Sequence, residues 1–161
     1  MLPVYPWAMS PQDHSAESVL TMARRLIVSR VSRCTEELRT KQAALKTRLS
    51  GKDSDRYLRA LQQLCTEQLD KRAAIIFAAI EEITREASDV NETAMATLKI
   101  EFKARFDEEA AQLSALIEKA GSQNRSVPAP TLNDPKARLV AQYRAKLDLL
   151  AEKFSPRNNA G

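Results

Sequence analysis

Few residues of this chain could do chemistry, and their types and spacing decide which chemistry is open to it. Catalysis by histidine needs an imidazole held in place, and the one histidine, His14, falls at the edge of an expected helix start. A cysteine nucleophile needs a basic partner, and none can be assigned to Cys34 or Cys65, whose separation also lacks metal-ligand spacing. Carboxylates cluster at Glu81 with Glu82 and at Asp107, Glu108 and Glu109. They have no Glu-x-x-His companion of the kind a di-iron bundle uses, and charge runs on a long helix are usually solvated. Glycine occurs only at 51, 121 and 161, so no phosphate-cradling loop can form. The expectation is a protein that is not an enzyme, with no catalytic, cofactor-binding or metal-binding residues and no cofactor.

Arginine is the remaining candidate. Arg24, Arg25, Arg30, Arg33 and Arg39 stand along one stretch, and the first four could grip the phosphates of a nucleic acid. A solvated or salt-bridged helix flank is the commoner use of such residues.

The elements that position these residues are helical. From Asp53 to Ala120 the chain runs 68 residues without Gly or Pro. Leu58, Leu61 and Cys65 open an apolar seam, which Leu69, Ala73, Ile76, Ile80, Ile83, Ala87, Val90 and Ala94 continue in steps of four and three. Such alternation is the heptad signature of packed helices. Unbroken, this spine would be roughly 100 Å long. One place could break it, because Asp89 with Glu92 three residues on has capping-box spacing. Beyond Ala94 the stepping changes to Leu98, Phe102 and Phe106, followed by Leu113, Leu116 and Ile117, which unwinds a supercoil locally.

A first helix is expected over 11–49. Ser10 caps it, Pro11 opens it, and Ser50 with Gly51 ends it. The short connection to Asp53 forces an antiparallel hairpin in which facing residue numbers add to about 103. Cys34 and Cys65 are then offset along the axes, and two buried free thiols are expected rather than a disulfide. Residues 121–133, with Pro128 and Pro130, form a linker, and Asp134 with Pro135 caps a last helix over 134–154. Residues 1–9, which contain Tyr5 and Trp7, and 155–161 are expected to be tails. The fold class is all-α: an elongated antiparallel coiled coil or helical bundle with one long central helix, the alternative being a compact four-helix bundle broken near Asp89.

Charge is unevenly placed. Residues 1–50, 51–88, 89–121 and 122–161 carry +4, −1, −3 and +4, so basic ends face an acidic middle. Packing of the ends on the spine with complementary flanking charges accounts for this. The longest apolar run, Ala73 to Ile80, has eight residues, against about 20 for a membrane span. No basic, continuously apolar leader is recognisable, and a cytoplasmic protein is expected.

Ile75 and Phe77 point away from the seam, and Leu26, Ile27 and Val28 span more than one face at the same level of the hairpin. Such a belt marks an interface. It predicts a homodimer centred on Leu26, Val28, Ile75 and Phe77. In a compact four-helix monomer, the third and fourth helices would cover the belt instead. The function expected is a helical interaction or scaffold protein acting through coiled-coil self-association and a protein partner. The alternatives are nucleic-acid binding through Arg24, Arg25, Arg30 and Arg33, and adsorption of amphipathic helices to lipid or a granule surface.

Overall fold

The computed structural model describes residues 11–49, 54–87, 90–122 and 130–154, with side chains described from residue 16. It is all-α, a bundle of four helices: α1 (Pro11–Leu49), α2 (Ser54–Glu86), α3 (Glu92–Ser122) and α4 (Asn133–Glu152). The tails at 1–9 and 155–161, Ser10, the loop before α2, Asp89 and most of the linker lie outside the described residues, as does the side chain of His14.

The bounds of α1 follow the expected stops, Pro11 being the first residue of the helix and Leu49 its last. It returns against α2 as an antiparallel hairpin: Gln42 Nε2 donates to the Tyr57 hydroxyl at 3.4 Å near the turn, Lys71 pairs with Glu37 further on, and Arg30 with Glu82 near the far end. Cys34 and Cys65 are buried and free, as the axial offset implies.

The single long helix is corrected. The chain folds back between Glu86 and Glu92, giving the compact alternative. Asn91 caps α3: its Oδ1 accepts the Ala94 N–H at 2.8 Å, which satisfies one of the donors that a helix start leaves open. The apolar face of α3 drives the turn. Leu98, Phe102, Phe106, Leu113 and Ile117 are each under 5% exposed against the rest of the bundle. A straight spine would have to find that cover from the 20 residues of α4 or from another chain. Burying a large apolar side chain is worth about 1.5 to 3 kcal/mol, far more than the helical turn lost at the hinge.

At α4 the cap differs from the expected one. Helix α4 starts at Asn133, behind Leu132, which makes no side-chain cap, and Pro135 occupies the first turn. Proline is tolerated there because first-turn N–H groups have no intrahelical acceptor. Burial of Leu132, 2% exposed, fixes where the chain comes in, and Gln62 Nε2 holds the preceding Thr131 carbonyl at 3.1 Å.

Helices α2 and α3 form the central pair, each touching all the others, and α1 and α4 pack on either side. Successive helices alternate in direction: Arg72 meets Glu109, Asp107 meets Lys136, and Lys99 meets Asp148. The core runs through all four, from Ala23, Ile27 and Val31 through Leu69, Ile76 and Ile80 to Leu98, Phe106, Leu139 and Leu147. No helix among the described residues is long and apolar enough to cross a membrane.

Candidate interaction surface

The residues singled out by type are dispersed. Arg24 forks onto Glu101 of α3, Nε to Oε1 at 3.0 Å and Nη2 to Oε2 at 3.1 Å, and this carboxylate holds its pKa up. Arg30 pairs with Glu82, and Arg39 with Glu36 at 3.2 Å. Arg25 and Arg33 are exposed and make no ion pair among the described residues. The four arginines therefore do not form one free basic patch, since two are engaged at the surface as cross-helix braces. The expected complementarity of basic ends and acidic middle is visible in Arg24–Glu101, Arg30–Glu82, Lys136–Asp107 and Arg138–Asp70. Two pairs run the other way, Lys71–Glu37 and Lys99–Asp148.

The predicted belt is also divided, which corrects the expectation of one exposed apolar surface there. Phe77 lies under α4, its ring 5.6 Å from that of Tyr143, with Lys146 Nζ over both rings. Leu26 and Ile75 pack partly buried on the core. Only Val28 stays open, at 50% exposure. Helices α3 and α4 supply the cover within one chain, which leaves no continuous belt at these four residues.

The carboxylate cluster on α3 is divided among four cations. Asp107 accepts from Lys103 at 2.8 Å and faces Lys136 at 3.4 Å, and these ammonium groups, Lys103 first, hold its pKa below the usual carboxylate range. Glu108 pairs with Arg105 at 3.5 Å. Glu109 turns inward to Arg72. No group of three or more His, Cys, Asp or Glu among the described residues could hold a metal ion. Burial raises the pKa of both thiols, Cys65 to about 11, with Arg72 opposing the shift at each; a thiol so placed is a poor nucleophile.

Two features lie outside the sequence expectations. The first is a polar cluster inside the core. Arg72 and Glu109 are buried together, and Gln68, one turn before Arg72, is buried with them. Gln68 Oε1, Arg72 Nε and Arg105 Nε have no hydrogen-bond partner among the described residues, although Arg105 Nε lies 3.5 Å from Glu109 Oε1. In the sequence, Gln68 and Arg72 stand beside the seam of α2, where polar residues read as a solvated flank.

The second feature is a groove of about 620 Å³ between α3 and α4. Its floor is Phe102, Val140, Leu147 and Ala104, and its lip is Ile100, which is 71% exposed. Lys99, Lys103 and Arg144 stand around it with Asp107. A shallower depression continues from it along α4, past Val140 and Arg144 to Ala137, Ala141 and Ala145, with Lys136 and Asp148 at its edges. Lys99 holds Asp148 at 2.6 Å and depresses its pKa, so both acids of this region stay ionised. Four cations against two carboxylates leave the surround net positive. Chemically the surface offers apolar area, small residues that let a backbone come close, and a positive border. No protein-family model matches this chain, and no curated protein or solved structure is significantly similar to it.

Proposed function

We propose that this protein is a non-enzymatic helical interaction module, whose α3–α4 groove receives an amphipathic helix with acidic flanks from a protein partner. One observation carries the reading: Ile100 stands 71% exposed beside an apolar floor, inside a border of Lys99, Lys103, Lys136 and Arg144. An apolar groove that can take the apolar face of an amphipathic helix is a recurring mode of recognition, and an exposed apolar lip adds area for that face to cover. Two buried free thiols suit a reducing, cytoplasmic setting.

Nucleic-acid binding by helix α1 has weaker support, since Arg24 and Arg30 already hold Glu101 and Glu82. Adsorption to lipid would require the buried faces of the bundle to open.

Co-purification of the full chain from native extract, beside Ile100→Glu and Val28→Glu variants, tests the reading. A protein retained by wild type and Val28→Glu and lost from Ile100→Glu is expected. Equal retention by all three would remove the groove from the account. Recovery of nucleic acid, lost at raised salt and on changing Arg25 and Arg33 to Glu, would favour the second reading.

A further inference from the structure

We infer that the chain also assembles as a domain-swapped dimer, in which the α1–α2 hairpin of one copy packs on the α3–α4 hairpin of a second and residues 87–91 join α2 to α3 as one helix. Swapping of this kind is independent of whether the groove binds a partner.

Three observations carry it. First, the hinge is very short. The Ala87 N–H still donates to the Ile83 carbonyl at 2.9 Å in the α-helical pattern, and the Met95 N–H already donates to the Asn91 carbonyl at 3.0 Å. The α2 ladder thus reaches Ala87 and the α3 ladder starts from Asn91. Short hinge loops between packed elements invite swapping.

Second, the sequence across the hinge supports the open form. There is no Gly or Pro between Asp53 and Ala120, and Ile83, Ala87, Val90, Ala94 and Leu98 keep one seam in phase. In the closed chain Ile83, Ala94 and Leu98 are buried and Ala87 and Val90 pack on the core. The same residues lie on a single stripe if the helix is continuous, so opening exposes none of them once a second copy supplies the facing stripe.

Third, the register is symmetric about the hinge. Arg72 faces Glu109, and the midpoint of that pair falls between Val90 and Asn91. Two continuous helices running antiparallel about a twofold axis at that point reproduce the α2–α3 pairing unchanged. The pairs Arg24–Glu101, Arg138–Asp70 and Arg72–Glu109 then form between copies. The partner is fixed as a second copy of this chain, because only that copy offers the same core, register and buried charge. What opposes the open form is the Asn91 cap and the loss of independent motion of two chains, so concentration and refolding history set the balance.

The buried pair supplies the test. Arg72→Glu alone and Glu109→Arg alone each place like charges in the core of a closed monomer. Co-refolded in equal amounts, the two variants can form a dimer in which one half joins both substituted positions and the other keeps both native residues. The expected result is a cooperatively melting helical species in the mixture, at twice the 18.0 kDa chain mass by light scattering, which neither variant gives alone. A mixture that behaves as the sum of its components overturns the inference. As a second arm, Ser88→Ala, Asp89→Ala and Asn91→Ala together, which remove the cap and favour helix, should raise the dimerisation constant of the otherwise native chain about a hundredfold. A triple variant that stays monomeric at the concentration where wild type is monomeric also overturns it.

Discussion

Arg72 Nη1 lies 2.6 Å from Glu109 Oε2, and both side chains are only 2% exposed, so α2 and α3 are joined through a desolvated ion pair in the centre of the bundle. Two opposite charges in this setting attract strongly, yet each has given up its water, and the orphaned Arg72 Nε and Gln68 Oε1 show that the exchange is incomplete. Removing one partner therefore does more harm than removing both. Glu109→Ala should lower stability in urea by about 3 to 5 kcal/mol, while Arg72→Met with Glu109→Leu should be near neutral or stabilising. A double variant as unstable as the single one would show that the pair contributes net stability.

The fourth helix is held by aromatic packing. Tyr143, 5% exposed, stacks on Phe102 at 5.4 Å and meets Phe77 at 5.6 Å, bridging the two central helices. Tyr143→Ala should cost about 3 kcal/mol or more by the size of the aromatic lost, and should make α4 exchange its amide hydrogens faster than α2. Leu149 on the same helix is 63% exposed, and Leu149→Ala should change stability by less than about 0.5 kcal/mol.

At the α2–α3 turn, Asn91 caps the third helix through the Ala94 N–H. Asn91→Ala should destabilise by about 1 kcal/mol and Asn91→Ser should be close to silent. Equal losses from both would place the effect in packing of residue 91 rather than in its cap.

How much of the fold is legible in the chain depends on what each residue's surroundings are made of. The seam through Leu69, Ile76 and Ile83 and the stops at Leu49 and near Gly121 are local properties of the chain, and the structure keeps them. The fold-back at Asn91 is harder to read, because a polar run without Gly or Pro caps a helix or continues one according to what tertiary packing rewards. The breadth of apolar residues at Ile75 and Phe77 does signal more than one neighbour. Sequence does not say whether that neighbour is α4 or a second chain. Arg72 and Glu109 are invisible for the opposite reason, since a charge beside a seam reads as a solvated flank until a third helix closes over it. The groove at Ile100 is a product of how α3 and α4 meet, and no spacing within either helix encodes it.

Acid should weaken the surface bracing in a defined window. Glu37 is held down to about 2 from an ordinary 4.5, first by its bond to Lys41 and then by Lys71. Asp107 and Asp148 are depressed in the same direction, mainly by Lys103 and Lys99. A carboxylate whose folded pKa lies below its unfolded value stabilises the fold fully above the unfolded value. That contribution is lost as pH falls toward the folded one. Stability should therefore be flat at neutral pH, begin to fall below about 4.5 and continue falling to about 2. Because Glu37 is solvent-facing, the effect should be modest and should shrink in salt, where exposed ion pairs are screened. The check is a set of urea midpoints between pH 6 and pH 2 for wild type and Glu37→Gln at low and high salt. A smaller acid slope in the variant at low salt, converging with wild type at high salt, is the expected pattern. An unchanged slope in the variant would show that Glu37 does not carry the acid sensitivity.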